Sequence, residues 1–371
     1  MSCSKKRCWA EVDLEALARN VTTIRARLGA KCGIMAVVKA NAYGHGVVQV
    51  ARALERGLEA FGVANVAEAV ELAAIIQPHR IFILGTALPE EYEEIALRGF
   101  VPVISSFEEA MAFERLARHG CVPVNVAIDT GMGRIGVGSK DAIAEFCEIS
   151  LLPRIDIKTI STHLPVADED DAFTKNQLER FSAIVARLRE AGIRPPLVHV
   201  LNSAGAIHFP EHAHDLARVG LALYGSSPIA AFQKELHPVM TLKTRVTIVR
   251  DLPAGQSVSY GRTFIAPSPM RVATLAAGYA DGYQRRLSNQ QADVLVRGVR
   301  CPVLGRVTMD QIMVDVSNLP DVEVGEEVVL MGRQGEQEIL AAELAQKAGT
   351  IAWEIFTGIS HRVERIYLHQ Q

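Results

Sequence analysis

The spacing of apolar and polar positions changes character twice along the chain. From Leu14 the apolar residues Leu14, Leu17, Val21, Ile24 and Leu28 recur at the three-to-four spacing of one helix face. Short apolar runs then alternate with helical stretches. Runs at 34–38, 61–64, 81–84, 101–104, 122–128, 155–162, 197–201 and 215–219 predict strands; segments 47–56, 66–76, 107–118 and 173–191 predict helices between them. Ser105, Ser106, Glu108 and Glu109 supply a start signal for the third of these helices. About eight strand–helix units in roughly 220 residues predict an α/β fold, a parallel (β/α)8 barrel of the TIM type. An open doubly wound sheet of eight strands is the alternative, and periodicity does not exclude it.

After about residue 235 the texture becomes that of short alternating strands, at 241–249, 271–275, 293–296, 313–316 and 327–330. Gly and Pro turns separate them, most clearly Pro253-Ala254-Gly255, Gly298 and Gly325. A helix over 341–347 interrupts this pattern, which runs to Tyr367. The expected organisation is therefore a barrel over 1–235 and a mostly-β domain over 236–371, with the first dozen or so residues able to join the latter.

A barrel predicts that polar chemistry gathers at the carboxyl ends of its strands. Lys39 ends the first run, Asp129 follows the fifth, His163 ends the sixth, Asn202 and Ser203 end the seventh, and Arg218 lies in the eighth with Gly220 after it. Small residues after the last two strands suit a phosphate cradle built from backbone N–H groups.

Composition narrows the classes. The chain has 371 residues, 49% hydrophobic and 22% charged, enough for about two domains with a sizeable core. A net charge of −3 gives no electrostatic case for nucleic acid or an anionic membrane. No run of about 18 apolar residues predicts a membrane span. The basic stretch 1–7 leads into Trp9-Ala10-Glu11-Val12-Asp13, whose acids argue against a signal peptide. Cys3, Cys8, Cys32, Cys121, Cys147 and Cys301 lack C-x-x-C spacing and are expected as free thiols in a cytoplasmic protein, with no metal site.

Single residues are ambiguous on their own. A strand-end lysine can be desolvated, which lowers its pKa and frees the amine as a nucleophile, or can simply snorkel or pair. Gly131-Met132-Gly133-Arg134-Ile135-Gly136 has the form G-x-G-x-x-G, but Gly138 breaks any helix it would open, and the acid a dinucleotide site needs further on is absent. His163 reads equally as a satisfied core histidine, Asp168 as a solvated loop acid, and Tyr260 as an ordinary strand aromatic. Arg218 is different. A charge inside an apolar strand needs a partner, since a guanidinium keeps its proton.

The string Ala36-Val37-Val38-Lys39-Ala40-Asn41-Ala42-Tyr43-Gly44-His45-Gly46 resembles the cofactor-attachment site of the alanine racemases, fold-type III pyridoxal-phosphate enzymes. Asp129-Thr130-Gly131-Met132-Gly133-Arg134, Val258-Ser259-Tyr260-Gly261-Arg262-Thr263-Phe264, Gly278-Tyr279-Ala280-Asp281-Gly282-Tyr283 and Gly305-Arg306-Val307-Thr308-Met309-Asp310 resemble further motifs of that family, in its order. The resemblance spans nearly the whole chain and implies interconversion of L- and D-alanine by two bases, Lys39 on one face of the Cα and Tyr260 on the other. It implies pyridoxal 5′-phosphate as cofactor, with Lys39, Tyr43, His163, Asn202, Ser203, Arg218, Gly220 and Leu221 binding it. Arg134 and the Met309 backbone would take the substrate carboxylate. Asp168, Tyr279, Arg285, Arg306 and Asp310 would flank the site or its channel, and His163 would bridge Arg218 and the catalytic tyrosine. In the family that tyrosine comes from the partner subunit of a head-to-tail homodimer.

Two positions depart from the family pattern. Where some relatives carry a carbamylated lysine this chain has Ala127, so Arg134 needs another partner, such as an anion or a water. Where some place a phosphate-contacting tyrosine it has His361. Other readings are a racemase of serine, lysine or many amino acids, and a non-catalytic pyridoxal-phosphate binder. A fold-type III decarboxylase is disfavoured, because no cysteine lies between Ser257 and Phe264.

Overall fold

The structure is a computed structural model and describes residues 6–118, 120–193 and 197–369; Cys3 and most of the basic N-terminal stretch lie outside them. The chain divides into two compact units, one of Ala18–Ala42 and Val47–Leu236, the other of Met1–Leu17, Tyr43–Gly46 and His237–Gln371. It opens with strand β1 (Cys8–Asp13), then a helix, Leu14–Leu28, whose first turn is capped by Asp13 Oδ1 accepting from the Glu15 and Ala16 N–H groups.

The first unit is the barrel. Its strands are β2 (Gly33–Val37), β3 (Ala60–Val63), β4 (Ile81–Ile83), β5 (Val101–Ile104) and β6 (Val122–Asp129). After the two-residue β7 (Val137–Gly138) come β8 (Ile155–Ser161), β9 (Leu197–His199) and β10 (Leu216–Val219). All pair in parallel in the order β5-β4-β3-β2-β10-β9-β8-β6, and β5 pairs with β6 through Val103–Asn125 and Ile104–Val126. That last pairing closes the ring and removes the open-sheet alternative. Strands covered on both faces read as nearly unbroken apolar runs, and β3, β4, β5 and β10 are buried throughout. Met35, Ala60, Phe82, Val101 and Leu216 pack together, with Leu84 against them. Outside the ring, the helix Asp171–Glu190 buries Thr174, Gln177, Leu178, Phe181, Ile184, Val185 and Leu188 on one stripe, and Asp170 caps it by accepting from the Phe173 N–H.

The second unit is mostly β. Strand β11 (Met240–Leu252) alternates buried Met240, Leu242, Thr244 and Val246 with more exposed neighbours. The later strands are β12 (Ser257–Val258), β13 (Phe264–Ile265), β14 (Met270–Leu275), β15 (Asp293–Val296), β16 (Val299–Pro302), β17 (Ile312–Asp315), β18 (Glu327–Gln334), β19 (Gln337–Ile339) and β20 (Glu364–Leu368). The main sheet runs β16-β15-β18-β11-β1-β20, while the far half of β11 shifts register near Val246 and pairs with β14. Leu252, Val258, Ala266, Val272, Leu304 and Met313 form a core beside that bend.

Each expected strand is found to within a few residues, while β1, β7, β12, β13, β16, β19 and β20 were not expected. Several short helices were not visible in the pattern, among them Tyr92–Arg98, Ala142–Ser150 and Ser203–His208. The first buries only Ile95 fully and is closed by Gly99 at φ 73°, so it has a cap but no apolar stripe to read. Strand β1 escaped notice because it owes its pairing to β11 and β20, far along the chain.

Candidate active site

In the barrel unit Lys39 follows β2 after one residue, Val38, and is half-buried. Its amine is held below the usual lysine range, by burial first and by the nearby Arg134 charge second, with Glu68 opposing. The backbone after it is unusual. Ala40, Asn41, Ala42 and Tyr43 all have φ between 52° and 54°, a left-handed turn built without glycine. Glu68 braces that turn, its two carboxylate oxygens accepting from the Ala40 N–H at 2.8 Å and the Ala64 N–H at 2.7 Å. Asn41 Oδ1 accepts from the Val47 N–H at 2.8 Å and so starts the next helix.

Arg218, on β10, is buried to 6% exposure with no carboxylate beside it. Its Nη1 donates to His199 Nδ1 at 2.5 Å and to the His199 carbonyl at 3.1 Å. Its Nη2 meets the Thr162 carbonyl at 2.6 Å, the Val200 carbonyl at 2.9 Å and His163 Nδ1 at 3.2 Å. Among the described residues only its Nε–H lacks an acceptor. Burial, and then the Arg134 charge, pull this guanidinium down to about 10. His163 is pushed below the usual histidine range by burial and then by Arg218, Arg134 and Lys39, which keeps it neutral at pH 7. The structure thus brings Lys39, Arg134, His163 and Arg218 within electrostatic reach of one another.

Arg134 is exposed and has no hydrogen-bond partner among the described residues. It follows a loop organised by Asp129, whose carboxylate accepts from the Gly131, Met132 and Gly133 N–H groups at 2.8–2.9 Å. Ala127 is buried and pairs across the sheet with Ser161. Asn202 caps the helix Ser203–His208 by accepting from the Gly205 N–H, and donates to the Leu164 carbonyl. The Ser203 hydroxyl accepts from the Gly220 N–H at 3.0 Å and the Ala222 N–H at 3.4 Å, tying the turn after β10, which holds Gly220 and Leu221, to the helix start. Asp168 is exposed and stands apart from these bonds.

In the β unit Tyr43 is buried; burial pushes its phenol up to about 12, against a hydrogen bond with the Trp353 side chain. Tyr260 sits on a turn after β12 with 71% of its surface exposed. Ser259, at φ 63°, donates its hydroxyl to the Arg306 carbonyl at 2.5 Å, and a Cβ on Gly261 would lie 2.8 Å from the Arg306 guanidinium carbon. The Tyr260 and Arg306 turns therefore interlock, and glycine at 261 is favoured by its φ of 75°, the Arg306 guanidinium being free to shift from an added Cβ. The Tyr279 and Ala280 N–H groups donate to the Thr308 and Met309 carbonyls at 3.0 Å. Arg362 spans both turns, giving two bonds to buried Asp281 (2.7 and 2.9 Å) and one to Asp310 (2.8 Å). Arg285 and His361 are exposed.

Sequence reasoning missed Glu68, His199, Thr159, Asn125, Asp281 and Arg362. Glu68 carried a signal: Asn65 and Glu68 stand at capping-box spacing, and the Asn65 side chain accepts from the Glu68 N–H. Asp281 lay within the Gly278–Tyr283 string without a role assigned to it, and the remaining four stand in strands or turns that no quoted motif covers.

A closed parallel barrel with a lysine amine just beyond its first strand, joined to a mostly-β unit, is the architecture that the resemblance to fold-type III pyridoxal-phosphate enzymes implies. Two family models match, the alanine racemase N-terminal domain over residues 12–228 and the C-terminal domain over 239–367. An alanine racemase of Halothermothrix orenii is 43% identical over 365 residues, covering 97% of this chain and 96% of the relative. Among solved structures, an alanine racemase of Clostridium difficile 630 superposes with a TM-score of 0.90 at 34% identity, covering 98% of this chain and 96% of the other. An alanine racemase of Bartonella henselae with covalently bound pyridoxal phosphate gives 0.88 at 29% identity, covering 98% and 100%. The chain belongs to the alanine racemase family. No helix among the described residues is long and apolar enough to cross a membrane, and the five described cysteines are free.

Proposed function

We propose that this chain interconverts L- and D-alanine with pyridoxal 5′-phosphate, Lys39 and Tyr260 acting as the two bases. The observation that carries the reading is Lys39: an amine at a barrel strand end, held below its usual pKa by burial and a neighbouring guanidinium, in a chain of this family. The residues present fit the cofactor. Arg218 keeps a single donor, Nε–H, unengaged in a buried place without counter-charge, which suits a pyridine nitrogen. The Ser203 hydroxyl and the turn at Gly220 and Leu221 suit a phosphate, with Asn202 holding the helix start and Tyr43 adding its hydroxyl. When bound, the cofactor acidifies the Cα–H of the amino acid by conjugation with its ring.

The protein's own residues then divide the work. Lys39, once unprotonated, takes or returns the proton at Nζ on one face; Tyr260 of the partner subunit does so at its phenol oxygen on the other. Arg134 and the Met309 backbone hold the carboxylate, Arg134 using a guanidinium that no described residue engages. An anion or a water would support Arg134 in place of a carbamylated lysine, and bromide scattering at that position would reveal the anion. His163, neutral, links Arg218 to the tyrosine. Asp168, Tyr279, Arg285, Arg306 and Asp310 line the approach. In this division residues 1–235 bind the cofactor and 236–371 carry the second base. The protein works as a cytoplasmic head-to-tail homodimer supplying D-alanine, without nucleic acid or membrane partners. Lys39→Ala and Tyr260→Phe proteins, each nearly inactive, regain activity on mixing; failure to recover removes the shared site. Racemisation assays across amino acids separate alanine from serine, lysine or broad specificity.

A further inference from the structure

A line of buried polar side chains runs through the barrel from Arg218, and its other three members have no role in the scheme above. It takes one residue from each of four neighbouring strands: Arg218 on β10, His199 on β9, Thr159 on β8 and Asn125 on β6. His199 and Thr159 are fully buried and Asn125 is 2% exposed. Arg218 Nη1 lies 2.5 Å from His199 Nδ1, His199 Nε2 lies 3.2 Å from Thr159 Oγ1, and the Thr159 hydroxyl donates to Asn125 Oδ1 at 2.7 Å.

The direction of this line is set at one end. A guanidinium only donates, so His199 Nδ1 has to accept. The ring is then neutral with its proton on Nε2, in keeping with the way burial and the Arg218 charge depress its basicity. Nε2–H needs an acceptor, and Thr159 Oγ1 is the one in reach. Having accepted, that hydroxyl donates onward to the Asn125 amide oxygen. Running the line backwards would set Nδ1–H against the guanidinium, donor against donor.

We infer that Thr159 and Asn125 are positioning residues for racemisation: they hold His199 as its Nε2–H tautomer, and through it hold Arg218 with Nη1 and Nη2 saturated and Nε–H alone open. The inference rests on the reading of Arg218 as the partner of the cofactor's pyridine nitrogen. Without the hydroxyl, His199 has a buried N–H and no acceptor; the ring turns or changes tautomer, and Arg218 loses the acceptor that orients it.

The test uses the full-length protein loaded with pyridoxal 5′-phosphate. Thr159→Val lowers kcat by about tenfold, the effect of one lost buried hydrogen bond, with KM for alanine unchanged within about twofold. It also speeds cofactor release and removes or shifts the exchange-protected His199 ring N–H in spectra of protein carrying ¹⁵N-histidine. Thr159→Ser restores all of these. Asn125→Ala gives the same split in smaller measure, and decides the matter if Thr159→Val does not fold. The inference is overturned if Thr159→Val leaves kcat, cofactor release and the ring signal as they were, or if Thr159→Ser fails to rescue. An Arg218→Leu arm separates the layers. If that variant keeps its cofactor and its kcat, the reading of Arg218 itself is wrong; if it loses both while Thr159→Val is normal, only the relay falls.

Discussion

The turn behind Lys39 is the most stringent place to test this physical picture, through Ala40→Gly. Ala40 (φ 52°, ψ 52°), Asn41 (φ 54°, ψ 48°), Ala42 (φ 53°, ψ 51°) and Tyr43 (φ 52°) are four successive non-glycine residues in the left-handed region. Each costs roughly 1–2 kcal/mol from the approach of Cβ to the carbonyl oxygen. Glycine removes that term, but its freer unfolded chain takes back about 0.4–1 kcal/mol. Ala40 is exposed, so almost no burial is lost with its methyl group. The balance is a gain of about 0–1.6 kcal/mol, whereas glycine in an ordinary helix loses about 0.5–1 kcal/mol. At Ala42, fully buried, the lost methyl subtracts a further ~0.8 kcal/mol and brings the expectation near zero. Urea denaturation of the three proteins, followed through the transition that reports barrel unfolding, measures both. A loss of 0.5 kcal/mol or more in Ala40→Gly would falsify the claim that strain is stored beside the lysine.

Other consequences concern charge. Arg134→Leu removes the second cause of the depressed lysine amine, so the pKa of Lys39 in cofactor-free protein rises, read from the pH dependence of its reaction with an amine-selective reagent. His163 and His199 are both held below the usual value of about 6.5, so the unfolded chain binds more protons just beneath that pH. Their contribution to stability is present above pH 6.5 and falls as pH drops, and denaturant midpoints at pH 5 and 7.5 show it; an unchanged midpoint contradicts the depressed values. Arg362→Leu strands the buried Asp281 carboxylate and costs the β unit about 1–3 kcal/mol, measured by denaturation.

Much of the barrel was legible because a parallel strand covered on both faces is an unbroken apolar run, and polar residues at its end stand out against it. Lys39, Arg134, His163 and Arg218 could be singled out in this way, or from the string around them. Short helices escaped because one buried residue, as in Tyr92–Arg98, makes no periodicity. The left-handed turn escaped for a different reason. Its residues are Ala, Asn, Ala and Tyr, of which only asparagine favours such a backbone, so local preference pointed elsewhere and tertiary bonds from Glu68 and Val47 overrode it.

The polar line Asn125–Thr159–His199–Arg218 shows why the remainder could not be read from local patterns. Its members lie 34, 40 and 19 positions apart along the chain and become neighbours only when the strands pair in register. Asn125, Thr159 and His199, taken alone, are unremarked residues in apolar strands. What joins them is satisfiability: a buried guanidinium with five donors and no carboxylate must find neutral acceptors, and each neutral acceptor it uses dictates the proton position on the next group. Arg218 is therefore the residue from which the interior has to be understood. Its charge excludes a protonated histidine beside it and contributes to the low basicity of His163. Burial, and after it the Arg134 charge, depress both Arg218 and Lys39, so protons are held less tightly at these strand ends. The proton affinity of these groups is lowered by burial first and by mutual repulsion of cations second, with only Glu68 opposing at Lys39.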